Sequence, residues 1–184
     1  MREISLAHVK NGYSPSVSAA FASNRPVRIL MYSPSRHSVD PTHEKSLAMK
    51  IPFNNAFSDI TREVVKIPKQ EYLKEGKYPI IDQGDSKIAG YTNCEEGVCQ
   101  NVPVVLFGDH TRIFKYIDFP FFAGADGTKI LKAKSGTDTR FGYYSFINHP
   151  LNSLGYSRHF KLLKDKPFHT TDYASQLLIA GIMA

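Results

Sequence analysis

Asp109 and His110 are adjacent, and a carboxylate that orients an imidazole is a common arrangement for acid–base work or for holding a metal. They lie in Gly108-Asp109-His110-Thr111-Arg112, where four hydrogen-bonding side chains separate two apolar segments, so flanking strands would project them from the rim of a core. Neighbouring residues on a strand point apart, however, and the sequence shows no identifiable nucleophile, second metal-ligand cluster, P-loop or dinucleotide fingerprint to complete a site. The same five residues also make a hydrogen-bonded turn in which Asp109 caps backbone N–H groups and His110 or Arg112 forms a surface ion pair. Both readings stay open on these residues alone. Cys94 and Cys99 lack the nearby His pair or second Cys pair that zinc requires, so they read as two reduced thiols in a loop, and no metal or other cofactor is expected.

Other side chains suit recognition better than turnover. Gln83, in the turn Asp82-Gln83-Gly84-Asp85, can bond an adenine edge twice in a major groove, although a turn glutamine can equally be solvated. Tyr91, after Gly90, can stack, bond a phosphate or close a hydrophobic core. Arg158 and His159 stand beside Tyr156 and Ser157 in a loop suited to phosphate or base contact, where Arg158 could instead pair with a carboxylate.

These groups need a scaffold. Val104 to Phe107 are apolar, rich in β-branched residues and followed by Gly108, as expected for a buried strand. The aromatic segment 113–122 reads as a second strand ending near Pro120, and alternation over 128–134 as a third, which together predict a three-stranded meander. Tyr78-Pro79-Ile80-Ile81 reads as a short edge strand, because proline cannot donate to a ladder. Residues 57–66 fit either a short helix or a strand. Asp138 precedes Phe141, Tyr144 and Ile147 at a spacing of three, which predicts a capped helix that stops before Pro150. Thr170-Thr171-Asp172 could cap a final helix bearing Tyr173, Leu177, Ala180 and Met183.

The 184 residues suit one globular domain with a tail. No apolar run approaches the roughly 20 residues that span a bilayer, so a soluble cytoplasmic protein without membrane contact is expected. The net charge of +6 suits a polyanionic partner, but residues 1–56 account for +4 of it, so the region that holds the motifs is not a basic block. Residues 1–50 lack periodicity and are punctuated by Ser14-Pro15, Arg25-Pro26, Ser33-Pro34 and Asp40-Pro41, with one strand conceivable over 27–32. They read as a loosely packed arm or as one that contacts DNA or a partner through Arg25, Arg28 and Arg36.

Three separated blocks carry a resemblance. Phe107-Gly108-Asp109-His110-Thr111-Arg112 with the segment to residue 131, Tyr78-Pro79-Ile80-Ile81-Asp82-Gln83-Gly84 with Ile88-Ala89-Gly90-Tyr91-Thr92, and Gly155-Tyr156-Ser157-Arg158-His159-Phe160-Lys161 resemble, in order, the target-recognition domains of specificity subunits from type I restriction-modification systems. The resemblance spans residues 57–164. It implies an α+β domain with a twisted, mainly antiparallel β-sheet and a few helices, with a recognition domain (57–166) followed by a connector and the start of a helix (167–184), while the N-terminal arm (1–56) has no counterpart in it. The implied function is non-catalytic recognition of one part of a split double-stranded DNA target. Partners would be a methyltransferase subunit and a motor-endonuclease subunit, with a homodimer as a further assembly. DNA contacts would come from Gln83, Ser86, Lys87 and Tyr91, from His110, Thr111, Arg112 and Lys129, and from Tyr156, Ser157, Arg158 and His159. Gln176 and Ile179-Ala180 look like the start of the long helix that, in the family, separates two recognition domains and docks methyltransferase subunits. The alternatives are a relative that docks partner subunits without supporting restriction, and a stand-alone hydrolase using Asp109 and His110.

Overall fold

The computed structural model describes residues 49–124, 127–153, 155 and 158–183. The expectations for the arm before residue 49, including Arg25, Arg28 and Arg36, and for Tyr156 and Ser157 lie outside the described residues.

The molecule is layered around one strand. β6 (Val104–Gly108) is buried at all five positions, so its side chains face apolar surroundings on both sides and the run need not alternate with polar residues. Val105 and Phe107 join an aromatic cluster with Phe53, Phe57, Phe146, Phe160 and Phe168, whereas Val104 and Leu106 join a second cluster with Ile81, Ile117, Phe121 and Ile130. In its sheet β6 lies between β7 (Phe114–Ile117) and β9 (Thr128–Ala133), both antiparallel to it, and β2 (Phe57–Asp59) pairs with β9 at the edge.

A second sheet covers the other side of β6 in the order β3 (Lys66–Ile67), β8 (Phe122–Gly124), β4 (Tyr78–Ile81), β5 (Gly90–Thr92). The predicted meander is corrected here: segment 113–122 does not run as one strand. After β7 the chain leaves its sheet, crosses Pro120 and enters the second sheet as β8, parallel to β3 and β4. β9 then returns to the far side of β6. β4 is likewise interior, not an edge. Its pairing with β8 involves only Ile80 and Ile81, so Pro79 is not required to donate on that side. Residues 57–66 resolve into β2, a 3-10 turn at Thr61–Glu63 and the approach to β3.

The third layer is helical. α1 (Phe53–Ala56) precedes β2, and α2 (Thr139–Asn148) is capped by Asp138, whose Oδ1 accepts the Phe141 N–H at 2.7 Å. α3 (Phe160–Asp165) follows, and α4 (Tyr173–Ile182) is capped by Asp172, which accepts the Ser175 N–H at 3.0 Å. Between α3 and α4, β10 (Phe168–Thr170) pairs with β1 (Met49–Ile51). The expected limits at residues 56 and 166 therefore fall within packed structure, since Phe53, Ala56 and Phe168 lie in the aromatic core and Gln176 of α4 is buried. The α+β class and the mainly antiparallel pairing hold.

Candidate nucleic-acid interface

Four segments converge at one end of the sheets. The β6–β7 connection is closed by Gly108 N–H donating to Ile113 O at 2.9 Å and by Arg112 N–H donating to Gly108 O at 2.7 Å. Arg112 sits at φ 63°, a left-handed conformation uncommon for a side chain of this size. Its Nη1 donates to Leu151 O at 3.1 Å, which holds the guanidinium against the segment after α2.

The turn is fixed to its neighbours by Asp109 and Gln83. Asp109 is buried. Its N–H donates to Gly127 O at 2.7 Å, its carbonyl accepts from His159 N–H at 2.9 Å, and its Oδ1 accepts from Phe160 N–H at 2.7 Å. Asp109 thus caps backbone, and the charge that a hydrolytic pair would direct at His110 is spent on the start of α3. Gln83 accepts from His110 N–H through Oε1 at 3.2 Å and from Thr111 Oγ1–H through its carbonyl at 2.8 Å. Glycine is required around it: a Cβ on Gly108 would fall 2.1 Å from Thr111 Oγ1 and 2.9 Å from Gln83 Cβ, and one on Gly127 2.6 Å from Gln83 Nε2. Loops at residues 82–88, 108–112, 127 and 158–159, scattered in sequence, form one surface.

The predicted contact residues distribute unevenly over it. Ser86, Lys87, Thr111 and Arg158 are exposed, Lys87 lying over the Phe119 ring at 5.5 Å, and no carboxylate among the described residues lies within 4.0 Å of Arg158. Arg112 and His110 are half-buried within the turn. Lys129, opposite Phe107 on β9, has its ammonium 5.2 Å from the Phe160 ring centroid, and Lys164 approaches the same ring at 4.9 Å. Two expectations change. Gln83 spends its side-chain oxygen on the backbone of the turn, and His159 is fully buried, its Nδ1 lying 3.0 Å from Asp109 O, so it supports the loop from beneath and does not face solvent. Tyr91 lies in the body of β5, exchanging two backbone bonds with Leu73 opposite Pro79, away from the turn.

Sequence reasoning passed over Lys115. It occupies the core-facing side of β7 with Ile117 and is only 7% exposed, yet its ammonium donates to Asp82 O at 2.7 Å and Ser86 O at 2.6 Å, with the Asp82 carboxylate at 3.9 Å. Burial holds its pKa below the ordinary lysine value, against the opposing charges of Asp82 and Asp85. A lysine on the apolar phase of a period-two strand is the signal that would have found it.

No family model matches the chain. Over 91 residues it is 31% identical to the specificity subunit of type I restriction enzymes of Escherichia coli, a stretch that is 48% of this chain and 22% of that protein. The S subunit of a type I restriction-modification system from M. genitalium superposes with a TM-score of 0.57 over 73% of this chain and 37% of that one, at 18% identity. The fold is that of type I specificity subunits. The HsdS subunit from Thermoanaerobacter tengcongensis repeats the match at 14% identity, with a TM-score of 0.52 over 82% of this chain and 38% of its own. The chain spans about a fifth of the curated specificity subunit and under two fifths of each solved one. Among the described residues, no helix is long and apolar enough to cross a membrane, and no group of three or more His, Cys, Asp or Glu is placed to hold a metal ion.

Proposed function

We propose that the chain is a DNA target-recognition domain that binds one part of a split duplex sequence and presents it, without chemistry of its own, to a methyltransferase subunit and a motor-endonuclease subunit in the cytoplasm. The observation that supports this most is the convergence of the separate family-like blocks onto one end of a specificity-subunit fold, through Gln83, Gly108, Asp109 and His159. Cationic side chains of Lys87, Arg112, Lys129 and Arg158 belong to these loops and their flanks, where they can neutralise phosphates while the exposed tip at residues 85–87 meets base edges. In this reading Asp109 is a loop anchor. The recognition unit takes in β1 and α1 as well as the segment from residue 57 onward.

Fluorescence anisotropy with duplex DNA at two salt concentrations tests the reading. Binding is expected to be weak and steeply salt-dependent. Arg112→Ala should flatten the salt slope by about one counterion if Arg112 contacts phosphate, or cost about 1–3 kcal/mol only on sequences with the matching guanine if it reads a base. Absence of binding even at low salt would sink the reading.

A second reading, a relative that docks partner subunits without supporting restriction, is favoured by the exposed Tyr173, Leu177, Leu178 and Ile182 of α4. Co-purification with a methyltransferase subunit in cells whose DNA gains no new methylated site would select it. A homodimer through the same helix is a third arrangement that this purification would reveal.

A further inference from the structure

The β4–β5 loop is attached to the rest of the fold at two places. At Gln83 it is bonded to the 108–112 turn, and at Asp82 and Ser86 it is bonded to Lys115 on β7. The residues between, and Lys87 beyond them, reach solvent: Asp85, Ser86 and Lys87 are exposed. The loop is therefore an exposed tip on a buried, charged base.

A buried ammonium is an expensive way to fill this position. Taking a charge out of water is unfavourable unless it is well hydrogen-bonded, and an apolar side chain would satisfy burial beside Ile117 with no such penalty. What only a cation supplies is two charge-assisted bonds to carbonyls four residues apart, plus attraction to the Asp82 carboxylate. Asp82 itself folds back to accept Gly84 N–H at 2.8 Å, and a Cβ on Gly124 of β8 would fall 2.4 Å from Asp82 Cβ, so the loop base has little room to relax elsewhere.

We propose that Lys115 is the positioning residue of the recognition surface: by clasping the Asp82 and Ser86 carbonyls it fixes the 82–88 tip in the pose that discriminates among DNA sequences, and it acts on specificity more than on general affinity. The inference rests on the DNA-recognition reading. Phosphate contacts made by flexible surface lysines tolerate a shifted loop, whereas base-edge bonds require registry within a fraction of their length. Loss of the clasp therefore separates the two.

The test is selection from a pool of short duplexes with randomised centres, followed by comparison of the enriched sequence with the starting pool for wild type, Lys115→Met and Lys115→Arg. Lys115→Met is expected to keep pool affinity and salt slope but lose about tenfold of its preference for the wild-type sequence, the size of one good base contact, and Lys115→Arg to recover part of it. Equal discrimination by wild type and Lys115→Met overturns the proposal. Should Lys115→Met fail to fold, Lys115→Gln decides: it keeps a neutral amide donor on the same side of β7 and removes the charge that strengthens both carbonyl bonds, so a severalfold loss of preference at unchanged pool affinity supports the clasp, and full preference overturns it. If wild type binds no duplex, the DNA-recognition reading fails, a result distinct from either.

Discussion

At Asp109 one residue ties three segments together, the β6–β7 turn, the start of β9 and the start of α3, with its backbone and carboxylate both engaged. Replacing it by alanine leaves the Phe160 N–H buried without its acceptor, which should cost about 1–3 kcal/mol of stability, read as a lowered thermal transition. Asp109→Asn, whose amide oxygen can still accept, should lose less. If Asp109→Ala is as stable as wild type, the anchor role is wrong. That Asp109 could cap backbone was legible in the sequence as one of two open readings, although its partner, the Phe160 N–H 51 positions on, was not. Gln83, His159 and Lys115 were not. Gln83 and His159 are polar and read as surface from their neighbours, Lys115 stands out only by its place on the apolar phase of β7, and each is turned inward by a partner 27 to 50 positions away.

Elements were legible where local chemistry decides them. Asp138 and Asp172 cap the helices predicted after them, because an N-cap acts within three residues. The division into two sheets was not legible, since nothing near Pro120 says that β7 and β8 must part. At the same scale, α2 is held to the β1–β10 ribbon by Ser145 Oγ–H donating to His169 O at 2.6 Å and by the stacked rings of His149 and His169, with centroids 3.8 Å apart. Burial, then His149, Lys50 and Lys166, depress the His169 pKa below the ordinary histidine value. Between that lowered value and the ordinary one the unfolded chain binds more protons than the folded chain, so stability should fall as pH drops through the window. Melting curves from about pH 8 to about pH 5, the range over which histidine titrates, should show this slope in wild type and a shallower one in His169→Phe, which keeps a stacking ring. Identical slopes would remove His169 as the source.

For the whole molecule, the aromatic core joins both ends of the described chain: Phe53 packs edge-on to Phe160 at 6.3 Å, and Phe57 edge-on to Phe168 at 5.2 Å. Deletion of residues 1–48 should leave a cooperative thermal transition, whereas deletion of residues 1–56 removes β1, α1 and the fully buried Phe53 and should abolish it. A retained transition in the longer deletion would put the boundary back at residue 56. The fold class was legible from the three family-like blocks, but these limits were not, because a three-residue strand and a four-residue helix leave almost no periodic signal.

The claim that the loop end is the DNA surface is tested most directly by amide hydrogen exchange of the intact chain with and without duplex DNA at low salt. Slowed exchange in the 82–88 and 108–112 segments, with α4 unchanged, is the result predicted. Slowing confined to α4, or no change at DNA concentrations that saturate anisotropy, would contradict it.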